Sequence, residues 1–92
     1  MPVFKQDCLK TLQYIFDLQN GNNLSLNWAD AINYLKLESK GFSYFENILR
    51  YLSGMAYIVS DNLLPTGIEV YTTDISEQPI LEDTKYDSRD YD

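Results

Sequence analysis

The chain contains no histidine, one cysteine and only seven cationic residues among its 92 positions. Each shortage excludes a class of chemistry. Without histidine, the commonest general base and the commonest zinc ligand are both missing. A lone thiol, Cys8, forms no internal disulfide and builds no thiolate metal site. The four glycines, at 21, 41, 54 and 67, are isolated from one another, so no glycine-rich phosphate loop is present. No stretch approaches the ~20 apolar residues of a membrane span, and the opening MPVFKQD lacks the apolar run of a secretion signal. The expectation is a cytoplasmic protein that is not an enzyme and uses no metal or cofactor. Fourteen acids outweigh the cations, giving a net charge of −7. Such a surface repels phosphate and works against approach to a duplex.

What is present is core material. Hydrophobic residues make up 45% of the chain, with eight tyrosines and four phenylalanines, the supply of one ordinary globular domain. From Phe4 to Gln19, the residues Phe4, Cys8, Leu9, Leu12, Ile15 and Phe16 recur at steps of three and four and predict a first helix. Cys8 belongs to its apolar face and reads as a core residue. Asn20-Gly21-Asn22-Asn23 ends that helix. Leu24-Ser25-Leu26 is a short strand or an extended linker. Asn27 is an N-cap candidate with Asp30 three residues later, and the stripe Trp28, Ala31 or Ile32, Leu35 predicts a second helix over 28–37. Gly41 supplies a turn. Ser43-Tyr44-Phe45-Glu46 has the Ser-x-x-Glu form of a capping box, with Phe42 placed to staple onto Asn47 or Ile48. Phe45, Ile48, Leu49 and Leu52 then predict a third helix over 44–53, closed by Gly54.

Ala56-Tyr57-Ile58-Val59 reads as a strand, Ser60-Asp61-Asn62 as a tight turn, and Leu63-Leu64 as the return strand ended by Pro65. Residues 67–73 have two readings. Thr66-Gly67-Ile68-Glu69 is a second capping-box pattern and opens a short helix, whereas Ile68 to Thr73 alternates and is β-prone. From Asp74 the pattern weakens. Residues 81–92 hold five acids and two bases, against nine acids and five bases in residues 1–80. Such a composition cannot offset the entropy of ordering, so residues 76–92 are expected to form a disordered acidic tail behind a domain over 1–75. The paired carboxylates Glu82-Asp83 fall in that tail, away from any shaped pocket that could separate their pKa values.

Three segments carry a resemblance in pattern. Phe45-Glu46-Asn47-Ile48-Leu49-Arg50-Tyr51-Leu52 looks like the recognition helix of a winged helix-turn-helix domain. Gly54-Met55-Ala56-Tyr57-Ile58 looks like the start of its wing. Leu64-Pro65-Thr66-Gly67-Ile68-Glu69 is similar to the Leu-Thr-x-x-Gly-Ile-Glu element that closes many wings and opens a last short helix. The resemblance covers about residues 4–73 and implies a mainly α fold: a three-helix core with a small β-hairpin as the wing. It tips residues 67–72 toward helix. It also implies descent from DNA-binding domains, which place the third helix in the major groove.

Charge departs from that ancestry. If the apolar stripe of the third helix faces the core, Tyr44, Glu46, Asn47, Arg50, Tyr51 and Ser53 face outward, with Lys40 nearby, and the wing tip offers no cation. Asn47 and Arg50 have the chemistry to read adenine and guanine edges, and the plainer reading makes them solvated polar residues. Tyr44 and Tyr51 lie seven apart on one side, a pair suited to a protein contact or to the boundary of a small core. The candidate partner-binding residues are therefore Lys40, Tyr44, Asn47, Arg50 and Tyr51. The favoured function is protein–protein interaction, with a partner or as a regulatory homodimer. The alternatives are a dimeric DNA-binding regulator and an acidic nucleic-acid mimic that blocks a basic cleft.

Overall fold

The computed structural model describes residues 3–73, so the acidic segment 76–92 lies outside the described residues. The order is α1 (Val3–Asn20), β1 (Ser25–Asn27), α2 (Trp28–Tyr34), α3 (Gly41–Gly54), β2 (Ile58–Leu64) and β3 (Gly67–Thr72). The strands form one antiparallel sheet in the order β1-β3-β2. The fold is three helices packed with a three-stranded sheet, an arrangement compatible with a winged-helix-like fold. Among the described residues no helix is long and apolar enough to cross a membrane.

The core comes from the predicted stripes. Phe4, Cys8, Leu12 and Ile15 of α1 meet Phe45, Ile48 and Leu52 of α3, with Leu26, Ile58 and Val70 from the three strands. Phe16 is exposed, because the helical drift of that stripe carries it past the edge of the buried face. Two polar residues, Asp7 and Thr11, are buried on α1 without any sequence signal for it. Thr11 Oγ1 donates to the Asp7 backbone carbonyl at 2.8 Å, one turn back, which satisfies the buried hydroxyl. Burial, more than neighbouring Asp7, pushes the Cys8 thiol well above its ordinary range, so it is inert core material.

The helix boundaries moved for identifiable reasons. Asn27 caps α2 as expected, its side chain accepting from the Asp30 N–H at 3.1 Å. That helix ends at Tyr34 instead of 37, because Lys36 turns left-handed at φ 59°. α3 begins at Gly41, three residues before the expected start. The Ser43 capping pattern thus lies inside the helix, and no side chain caps its N-terminus. Gly41, at φ 85°, makes the turn between α2 and α3 that a side chain would strain. Gly54 is the last residue of α3, and the left-handed closing residue is Ala56 at φ 64°.

The hairpin differs most from expectation. Ser60-Asp61-Asn62 is no turn: β2 runs through it, and the chain reverses at Pro65-Thr66. Residues 67–72, expected to be helical, are strand β3. Local capping potential lost to tertiary pairing, because β3 bonds on both edges, to β1 and to β2. Gly67 is decisive there. A Cβ on it would lie 1.9 Å from the Leu26 carbonyl oxygen, so the two backbones touch only because it is glycine. The turn is tied to α2 as well, through the Trp28 N–H donated to the Thr66 carbonyl at 3.0 Å.

Candidate interaction cleft

A cleft of about 630 Å³ opens between α3 and the β2–β3 hairpin. One wall is a second stripe of α3, Phe42, Glu46, Arg50 and Ser53, spaced at helical intervals, with Leu49 of the core stripe at its base. The other wall is the hairpin, with Leu63, Leu64, Pro65 and Ile68. Trp28 closes one end, its ring edge-on to Phe42 at 5.2 Å between centroids, which replaces the expected staple of Phe42 onto Asn47 or Ile48.

A β-bulge shapes the hairpin wall. Ser60 pairs with Val70 and Leu63 with Ile68, so Asp61 and Asn62 together oppose the single residue Glu69. Asn62 donates to the Glu69 carboxylate at 2.7 Å across this bulge. In an unbroken ladder Asn62 would sit opposite Ile68 and face α3. The extra residue gives that place to Leu63. Leu63 nevertheless stays 77% exposed, the most exposed large hydrophobic residue among those described.

The charges of the cleft cancel. Arg50 and Glu46 form an ion pair at 3.4 Å, one helical turn apart, with side chains 73% and 46% exposed. An exposed pair of this kind contributes only about 0.3–0.5 kcal/mol. Among the described residues no other charged side chain lines the cleft. A small-ligand site normally adds a few buried, convergent polar groups for orientation, and among the described residues the lining supplies Ser53 and Ser60, both exposed, and the Trp28 indole besides that pair.

The expected site residues divide. Arg50 stands in the cleft, and Asn47 is half-buried beside it on α3. Tyr51, expected to be exposed, is 3% exposed, and its ring meets Phe4 edge-on at 5.7 Å. Tyr44 is half-buried against the same Phe4 ring, and its hydroxyl donates to Asp7 Oδ2. Lys40 reaches the same carboxylate at 3.5 Å and lies 4.7 Å above the Tyr44 ring. These three residues therefore lock α3 onto α1, and the tyrosines follow the core-boundary reading. For Tyr44 and Lys40 the physical cause is Asp7, a buried carboxylate that draws the nearest hydroxyl and ammonium inward. The sequence reading missed Trp28, Phe42, Leu63 and Pro65 as surface features. The signal available was Phe42 and Leu49 seven apart on one helix, with Leu63-Leu64-Pro65 across from them.

Another, smaller depression of about 340 Å³ lies between α1 and α2, where the Tyr14 and Tyr34 rings stack at 4.9 Å beside Lys10 and Lys36. Burial, then the charges of Asp30 and the neighbouring Tyr34, raise the Tyr14 hydroxyl above its ordinary value. Among the described residues no group of three or more Asp, Glu, Cys or His side chains is placed to hold a metal ion. No protein-family model matches the chain, and no curated protein or solved structure matches it significantly.

Proposed function

We propose that the chain is a non-enzymatic interaction module on a winged-helix frame, whose working surface is the cleft between α3 and the hairpin. Its ligand is a largely apolar protein surface without net charge. The frame reading is supported by the helix order and by the strand order β1-β3-β2. The carrying observation for the function is Leu63, which a bulge turns toward the cleft and which stays 77% exposed there. Bulges that re-aim a side chain collect at working sites. Trp28 and Arg50, both in the lining, are of the residue types that dominate binding energy in protein interfaces.

The same surface argues against DNA as the ligand. Among the described residues, a duplex laid on α3 and the hairpin would meet one cation, Arg50, already paired with Glu46, together with Asp61 at the bulge. A single phosphate contact gives a salt slope of only about −0.9, against the six to ten contacts of typical DNA-binding proteins. Lys40, the other cation near α3, is committed to Asp7.

Selection of random displayed peptides on the wild-type chain tests the reading. Apolar peptides are expected to enrich and to lose about tenfold in affinity on the variant Leu63→Asp. Random duplex at low salt is expected to migrate unshifted. Peptides indifferent to Leu63→Asp, or a shifted duplex with steep salt dependence, would overturn it.

A further inference from the structure

Resting on the cleft as the working surface, we infer that its occupant is the cleft of a second copy, with two α3 helices packed antiparallel about a two-fold axis. Three features of the patch are complementary to the patch itself. The first is charge. The cleft carries one acid and one base, Glu46 and Arg50, one turn apart. Two antiparallel helices centred between them set Glu46 of each copy opposite Arg50 of the other. The intrahelical pair is exposed and weak, so exchanging it for two pairs across the axis costs little.

The second feature is shape. In that register, Phe42 of one helix falls opposite Gly54 of the other, because 42 plus 54 and 46 plus 50 have the same sum. Phe42 is 45% exposed and projects. Gly54, exposed and without a side chain, leaves the space for it, since a Cβ placed there meets nothing within 4 Å. Ser53 beside it is also small. A large ring on one side and a gap at its symmetry mate are what an isologous contact requires. The third feature is Leu63, which stands over the cleft from the hairpin and covers the flank of an inserted helix.

Net charge permits the approach. Among residues 3–73 there are five cations (Lys5, Lys10, Lys36, Lys40, Arg50) and seven acids (Asp7, Asp17, Asp30, Glu38, Glu46, Asp61, Glu69), so the body carries 5 − 7 = −2. Most of the charge of −7 therefore lies in the remaining residues. A strongly basic or strongly acidic partner finds no counterpart in a cleft whose charges cancel, whereas a second copy does.

Sedimentation equilibrium of the full chain, with circular dichroism as the check on folding, reads the outcome. The wild type is expected to dimerise. Gly54→Leu fills space that is empty in the single copy, so it should leave the fold intact and weaken dimerisation about a hundredfold. Arg50→Glu alone should weaken it about tenfold. The double variant Glu46→Arg/Arg50→Glu should dimerise again, yet fail to mix with wild type, because mixing sets like charges opposite each other. A monomeric wild type, a dimer untouched by Gly54→Leu, or free mixing of the charge-swapped and native chains would overturn the inference. If the wild type is monomeric while displayed peptides still depend on Leu63, the cleft remains the working surface and only its occupant is refuted.

Discussion

Three residues close the helices in a way their side chains do not favour. Asn22, Lys36 and Ala56 all have positive φ, at 63°, 59° and 64°. Each sits at the turning point of the same hydrogen-bond pattern. Asn23, Leu37 and Tyr57 donate back to Leu18, Ile32 and Leu52, while Asn22, Lys36 and Ala56 donate to Gln19, Asn33 and Ser53. This is the Schellman closure, in which glycine is the usual occupant because a Cβ is strained there. Ala56→Gly is therefore expected to stabilise the domain by about 1 kcal/mol, seen as a higher urea midpoint at unchanged slope. The sequence marks the cluster Asn20-Gly21-Asn22-Asn23 as the end of the first helix without singling out Asn22, and it gives no sign of the other two. Alanine and lysine do not announce the conformation, and Gly54, two positions before Ala56, drew the assignment.

At the scale of elements, the helices were legible and the hairpin was not. The stripes of α1 and α3 declare themselves because helical burial leaves a period in the sequence. β3 carries two competing local signals, and what decided between them is contact with β1, whose pairing partners lie far away in the chain. Gly67 holds that contact, so Gly67→Ala is expected to cost about 3 kcal/mol or more and to show as lost cooperativity in urea unfolding. The cleft was hidden for a related reason. Its α3 wall is legible as a second stripe, but the inward turn of Leu63 depends on a bulge whose position only the register with β3 fixes. Tyr44 was misplaced because Asp7, its partner across the helix pair, reads in sequence as an ordinary surface acid, and Tyr51 because its ring packs on Phe4 of α1, a contact far away in sequence.

For the whole molecule, the buried thiol makes stability depend on pH on the alkaline side. An unfolded chain loses the Cys8 proton around the ordinary value of 9.0, while burial in the fold holds that proton to much higher pH. The unfolded state thus releases a proton that the folded state keeps. The contribution of Cys8 is fully present below pH 9 and declines above it, by at most about 1.4 kcal/mol per pH unit. The raised Tyr14 hydroxyl acts in the same direction above its own ordinary value of 10.0. Urea midpoints measured from pH 8 to about 10.5 should fall more steeply for wild type than for Cys8→Ala. Equal slopes would mean that the thiol is solvated in the fold.

The sheet also sets the order in which this chain can assemble during synthesis. Among the described residues β1 bonds only to β3, and Ser25 pairs with Glu69 at a sequence separation of 69 − 25 = 44. Until the ribosome has released residue 69, Leu26 has no strand to lie against and α1 packs on α3 without the sheet that completes the core. Closing so long a loop is slow relative to helix formation. A stalled nascent chain cut short before β3 should therefore remain sensitive to protease throughout, helices included, and protection should arrive in one step when the last strand emerges.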